Sequence, residues 1–257
     1  MDFTGKVVVI TGASSGIGEA LVYAFADRGA KVVMGARNSA KLAEIAAQLF
    51  TRGIESAFEA TDVTREEDCK RLIDKALSAF GRIDILICNA GISMRALFDD
   101  VQLDVLRQLM DVNFWGTVYC AKYALPALQA AKGTLVGVSS VAGMHGLPGR
   151  TGYSASKFAM TGLLETIRIE NLKKGVHVMV ACPGFTASNV RFSALTADGT
   201  SQGESPRNES KMMSAEEVAQ RIIRGIERRK RTLLMEFDGR ATSLIGKFAP
   251  GLLDRLF

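Results

Sequence analysis

The stretch KVVVITGASSGIG, residues 6–18, decides how this chain is read. Residues 6–11 form a short apolar run bounded by turn residues, the pattern of a strand buried on both faces. Gly12, Gly16 and Gly18 punctuate the turn that follows, and Ile17, Leu21, Val22 and Phe25 then fall at helical spacing. A strand that passes through a glycine-rich turn directly into a helix is the opening of a βαβ unit.

Outward from that stretch the same alternation continues. A second strand is predicted over 31–36, then a helix over 39–51 with Ser39 as its N-cap. A weaker strand covers 54–60, and a helix with a Thr64 to Glu67 capping box runs to about 80, ahead of a strand at 83–88. The second half predicts a long helix over about 103–131, a strand at 134–139, a helix over about 153–174 and a strand at 176–181. A helix at 215–229 and a strand at 232–235 close the series. Strands alternating with helices imply a parallel sheet with helices on both faces. The expected fold is therefore α/β, a doubly wound parallel sheet of the Rossmann type with about seven strands. It forms one domain over 1–257, with a polar substrate loop at about 185–213 and a C-terminal tail at about 239–257.

Composition supports a packed domain: 47% hydrophobic and 23% charged residues is the balance of a globular chain, not a disordered one. The first residues lack a basic flank with a long apolar region, and no apolar run approaches the ~18 residues of a membrane span. Cys69, Cys88, Cys120 and Cys182 form no CxxC pair and read as core residues of a reducing, cytoplasmic protein. The net charge of +5 favours anionic ligands mildly and does not call for nucleic acid. Two well-separated histidines, His145 and His177, give no metal site.

The turn at 11–18 has chemistry of its own. Glycines let the backbone approach a ligand closely, and the helix start presents free N–H groups to a pyrophosphate. Ser14, Ser15 and Ile17 lie within that cradle. Its spacing is G-x-x-x-G-x-G, and its place between strand and helix marks a dinucleotide site. At the end of the second strand, where an NAD site carries a carboxylate, the chain reads Gly35-Ala36-Arg37-Asn38. Arg37 suits a 2′-phosphate, so the expected cofactor is NADP.

Tyr153 and Lys157, four residues apart, lie on one helix face. An ordinary tyrosine has a pKa near ~10 and needs a neighbouring positive charge to exchange protons near neutrality. Ser140 falls at the end of the fifth strand, where a hydroxyl can hydrogen-bond a substrate oxygen.

Taken together, TGASSGIG at 11–18, Asp62-Val63, NAG at 89–91, Asn113, Ser140, YSASK at 153–157 and Pro183-Gly184 resemble the short-chain dehydrogenase/reductase family over roughly 6–184. The resemblance implies that Tyr153 is the general acid in reduction and the general base in oxidation. By the same resemblance, Lys157 binds the nicotinamide ribose and lowers the tyrosine pKa, Ser140 positions the carbonyl, and Asn113 holds a water that links the lysine to solvent. It also implies that Asp62 and Val63 hold the adenine, that Asn89, Ala90 and Gly91 line its ribose, and that Pro183 and Gly184 lie on the nicotinamide side.

The expected function is hydride transfer between NADP(H) and a carbonyl or secondary alcohol on a medium-sized, largely apolar substrate, as in hydroxysteroid and carbonyl reductase members. A 3-oxoacyl thioester reductase and a non-catalytic NADP-binding sensor are the alternatives. By resemblance the long helices pair copies into a homodimer or homotetramer. The apolar tail has three readings, namely docking on the core or a neighbouring subunit, covering the substrate site, and peripheral membrane contact.

Overall fold

A computed structural model describes residues 2–186, 192–203, 212–235 and 251. Seven parallel strands form one sheet in the order β3-β2-β1-β4-β5-β6-β7. They are β1 (Val7–Thr11), β2 (Lys31–Ala36), β3 (Ser56–Ala60), β4 (Ile85–Cys88), β5 (Thr134–Val138), β6 (His177–Cys182) and β7 (Thr232–Leu234). Every residue of β1, β4, β5 and β6 is buried, as expected of strands covered on both faces.

Alternation along each strand divides the core. Val8 and Ile10 pack with α1 (Gly16–Ala26), α2 (Ser39–Thr51) and α7 (Ala215–Glu227). Val7 and Val9 face the other layer, where α3 (Glu66–Phe80), α5 (Gly116–Ala131) and α6 (Thr151–Asn171) lie. A smaller cluster of Met94, Val101, Val105, Leu109 and Leu195 joins the segment after β4 to α4 (Leu103–Met110). The strand order reverses between β1 and β4, and a crevice opens beyond their carboxyl ends.

Three local expectations are corrected. Helix α2 is capped by Asn38, whose side chain accepts from Lys41 N at 3.0 Å, so the cap lies one residue before Ser39. Thr64 does not form a capping box. Its N–H and hydroxyl both donate to Asp62 Oδ1, at 3.0 and 2.8 Å, and α3 begins after Arg65 instead. The long helix at about 103–131 is interrupted by a π-helical turn at Asp111–Trp115, which separates α4 from α5.

Part of the polar segment after β6 is packed. Ala194 and Leu195 are buried, and Leu195 pairs with Met94 through Arg95 N to Leu195 O and Leu195 N to Ser93 O. Asp198 closes a tight turn by accepting from Thr196 and Thr200, which holds its carboxyl down to about 2. Residues 187–191, 204–211 and most of the tail lie outside the described residues, so the expectations for the rest of the loop and for the tail fall there.

Candidate active site

One cleft of about 1170 Å³ runs along the carboxyl ends of the sheet. Its wall begins at the glycine-rich turn with Gly12, Ser14, Ser15, Gly16 and Ile17. Gly12 has a φ of +66°, and a Cβ there would meet Ala90 Cα at 2.9 Å. A Cβ on Gly18 would come within 2.0 Å of Gly12 O. Gly18 is not on the wall; it lets α1 pack directly behind the turn.

Thr11 ties this turn to the end of β4. Its Oγ1 accepts from Asn89 N and Ala90 N, each at 3.0 Å, while Asn89 Nδ2 donates to Thr11 O at 3.0 Å and to Gly12 O at 3.3 Å. Asn89, Ala90 and Gly91 are thereby presented on the cleft wall. Arg37 is exposed at the end of β2 and lines the same cleft, beside Asn38, Asp62 and Val63. Asn38 and Asp62 each also spend a side-chain oxygen on local backbone, at the cap of α2 and on Thr64.

At the other end stand Ser140, Tyr153, Lys157, Pro183 and Gly184. Ser140 N-caps a 3-10 turn at Val141–Gly143, accepting from Ala142 N at 3.2 Å. Lys157 is 3% exposed and donates to Val138 O at 2.8 Å. Burial presses its pKa from 10.5 to about 8, since desolvation penalises an ammonium. Its Nζ lies 5.9 Å from the centroid of the Tyr153 ring.

Burial pushes the Tyr153 hydroxyl above its usual range, while a hydrogen bond with Ser140 and the charge of Arg150 work the other way. The protein's own groups thus leave this tyrosine harder to ionise than a free one.

Asn113 sits behind the wall in the π-helical turn, fully buried. Its Oδ1 accepts from Ile92 N at 2.9 Å, and its Nδ2 donates to Ile92 O at 3.0 Å and to Ser156 Oγ at 2.9 Å. Ser156 Oγ in turn donates to Tyr153 O at 2.9 Å. The Asn113 side chain thereby ties α6 to the segment after β4. A Cβ on Gly91 would meet both Asn113 Oδ1 at 3.0 Å and Lys157 Nζ at 3.3 Å, so these groups converge on that glycine.

Sequence patterns assigned no role to Thr11, Ser156 or Arg150, because each acts through a partner distant in the chain or through backbone. Ser93, Phe185, Thr186, Ser193 and Leu195 also line the cleft. His145 is buried and is not among the lining residues, whereas Leu147 and Arg150 of the same loop are. His177 packs at the far end of the sheet, with Nε2 2.9 Å from Lys230 O. All four cysteines are buried and free, and among the described residues no group of metal-ligating side chains assembles. No helix among the described residues is long and apolar enough to cross a membrane.

Comparison with known proteins bears on the family and the fold. A model of the short chain dehydrogenase family matches residues 6–198. The chain is 37% identical over 261 aligned positions to 11-beta-hydroxysteroid dehydrogenase A of Arachis hypogaea, covering 98% of this chain and 74% of that one. It is 34% identical to a dehydrogenase/reductase SDR family protein 7-like of Drosophila melanogaster, covering 90% of this chain and 72% of the relative.

Among solved structures, a short chain dehydrogenase/reductase of Burkholderia phymatum in complex with NAD superposes with a TM-score of 0.87 at 26% identity, over 98% of this chain and 96% of that one. An alcohol dehydrogenase of Thermococcus sibiricus complexed with 5-hydroxy-NADP gives 0.77 at 27%, over 89% and 93%. The chain thus belongs to the short-chain dehydrogenases/reductases, oxidoreductases of alcohol and carbonyl groups.

Proposed function

We propose that this protein is an NADP(H)-dependent reductase or dehydrogenase acting on a carbonyl or secondary alcohol of a medium-sized, largely apolar substrate. The observation that carries the reading is the convergence of Ser140, Tyr153 and Lys157 at one end of a cleft whose other end is the glycine-rich turn with Arg37. The residues fit a dinucleotide: Gly12, Ser14, Ser15, Gly16 and Ile17 line the cleft as a pyrophosphate cradle, and Gly91 leaves no room for a side chain beside Lys157. Arg37 would take the 2′-phosphate, Asp62 and Val63 the adenine, Asn89, Ala90 and Gly91 its ribose, and Pro183 and Gly184 the nicotinamide side.

When bound, the cofactor supplies the hydride and, in its oxidised form, a positive ring. The chain supplies the proton. In reduction Tyr153 Oη donates its proton to the substrate oxygen as the carbonyl becomes an alcohol, and in oxidation it takes that proton back. Ser140 hydrogen-bonds the same oxygen and Tyr153, so it orients both. Lys157, near Gly91 and the tyrosine ring, holds the nicotinamide ribose, and Asn113 fixes the helix that carries the pair. Burial works against the ionised form of Tyr153, and a positive charge beside it favours that form.

Val141, Leu147, Phe185 and Leu195 give the substrate end apolar walls, with Ser93, Ser193 and Ser201 interleaved. This favours an apolar carbonyl compound bearing a few oxygen functions, and the name of the Arachis relative points the same way. Exposed Phe158 and Ile169 on α6, Leu172 at its C-cap and Trp115 ahead of α5 support a homodimer or homotetramer.

The test is NADPH and NADH oxidation against a panel of steroids, quinones, aldehydes and acyl thioesters, with Arg37→Ala beside the wild type. The proposal expects turnover of at least one ketone, with a preference for NADPH that Arg37→Ala reduces about tenfold or more. Turnover of acyl thioesters alone would select the thioester reductase, and NADPH binding without turnover of any compound would favour a sensor. An unchanged preference in Arg37→Ala would remove that residue from cofactor choice.

A further inference from the structure

Among the groups around Tyr153, one has no place in the family pattern used above. Arg150 is the N-cap residue of α6, three positions ahead of Tyr153, and it lines the cleft. Its guanidinium does not extend freely into solvent. Nη1 donates to Ser93 Oγ at 2.7 Å and to Met94 O at 2.5 Å, and its backbone is bridged to Ala96. Ser93 is buried and Met94 is fully enclosed, so the anchor points belong to the packed segment after β4. The same segment carries the Leu195 pairing and walls the substrate end of the cleft. An arginine held this way is a permanent positive charge of fixed position, since its guanidinium stays protonated throughout the working pH range.

We infer that Arg150 is a positioning residue of the proton-transfer site: anchored on Ser93 and Met94, it supplies Tyr153 with a fixed positive charge from the substrate side. The inference rests on Tyr153 being the proton-transfer group. It completes an arrangement in which Lys157 stands one turn after the tyrosine and Arg150 stands about one turn before it. Lys157 is spent partly on Val138 O and is itself pressed towards neutrality by burial, whereas Arg150 cannot lose its charge. The charge of Arg150 favours ionisation of Tyr153, against burial.

The other titratable groups near the tyrosine do not provide this. Cys182 on β6 has its thiol raised to about 12 by burial and stays neutral. On α4, Asp104 and Arg107 line the same cleft but are joined to each other at 2.6 Å, and Asp111 of the π-helical turn lines it too. Cys88 on β4 is buried near Lys157, and its thiol is raised too far to carry charge.

The chain has four tyrosines, so labelling with ¹³Cζ-tyrosine gives four signals, and Tyr153→Phe identifies the one that matters. The full-length protein is titrated with and without NADP⁺, in the wild type and in two variants. Arg150→Gln keeps donors for Ser93 and Met94 but removes the charge, and Arg150→Lys keeps the charge. The expected result is an ionisation of Tyr153 about one pH unit higher in Arg150→Gln, about tenfold in the equilibrium, with Arg150→Lys close to wild type.

Coincident titration of Arg150→Gln and wild type would overturn the inference. So would equal displacement in both variants, which would assign the effect to geometry instead of charge. A wild-type signal with no ionisation below about pH 11 in the NADP⁺ complex would overturn it as well. Because this readout needs no substrate, it separates from the function reading, which fails on absent turnover.

Discussion

The two ends of the sheet treat charge in opposite ways. At the amino ends, Asp84 is buried just before β4 and receives four hydrogen bonds: from Val7 N at 3.0 Å, Lys6 Nζ at 3.2 Å, Arg82 Nε at 2.8 Å and Arg82 Nη2 at 2.7 Å. Burial alone would raise its pKa, yet Arg82, the Val7 amide and Lys6 outweigh that and hold the carboxyl below its ordinary range. At the carboxyl ends burial wins. Lys157 is lowered to about 8 and Tyr153 is raised, each against its charged form. One end solvates its ion with protein donors and contributes stability; the other withholds solvation and keeps its groups poised to exchange a proton. Such poise costs stability, which is the expected signature of a working site.

The sharpest way to break this contrast is to remove the proton at the carboxyl end. Tyr153→Phe should lower turnover by about 10²–10⁴-fold while NADPH affinity, read by fluorescence titration, stays within about twofold. Equal losses in affinity and turnover would make Tyr153 a binding residue instead.

The amino end is broken by Asp84→Ala. Arg82 and Lys6 are half exposed and regain water, so the cost falls mainly on the Val7 amide and the lost ionic bonds, about 2 kcal/mol in denaturant unfolding. NADPH affinity should not change; a stable variant that no longer binds cofactor would end the division of labour between the ends.

The smallest effect has the opposite sign. Lys157→Met should raise stability by about 1 kcal/mol near pH 7, although it weakens cofactor binding. In the wild type, between about pH 8 and 10.5, the unfolded chain keeps the lysine proton that the folded chain has released. Stability due to this group therefore rises with pH across that window. The difference between the two proteins should shrink there, and urea unfolding at several pH values measures it.

How much of this was legible beforehand differs along the chain. The strands and the glycine-rich turn are local patterns, and all seven strands stand within two residues of their expected bounds. Lys157, Tyr153 and Ser140 were readable because helical spacing and a strand end place them without knowledge of the rest. The π-helical turn at 111–115 was not, since an irregular turn leaves the apolar periodicity on either side intact. Asn38 took the cap from Ser39 because both residue types cap well and only backbone geometry chooses between them. Thr64 was lost to Asp62 for a related reason, a local hydrogen bond competing with the cap. The burial of Leu195 and the anchoring of Arg150 depend on Ser93 and Met94, about a hundred and about sixty residues away. No period in a sequence encodes contacts of that kind.

The most direct test of the central claim follows the hydride itself. NADPH deuterated at the nicotinamide C4 is incubated with the protein and the ketones of the panel, and the products are read by mass spectrometry and NMR. The account predicts an alcohol with deuterium on the carbinol carbon and a solvent-derived proton on oxygen, formed by the wild type and not by Tyr153→Phe. Absence of deuterated alcohol from every compound, or equal label transfer by Tyr153→Phe, would contradict it.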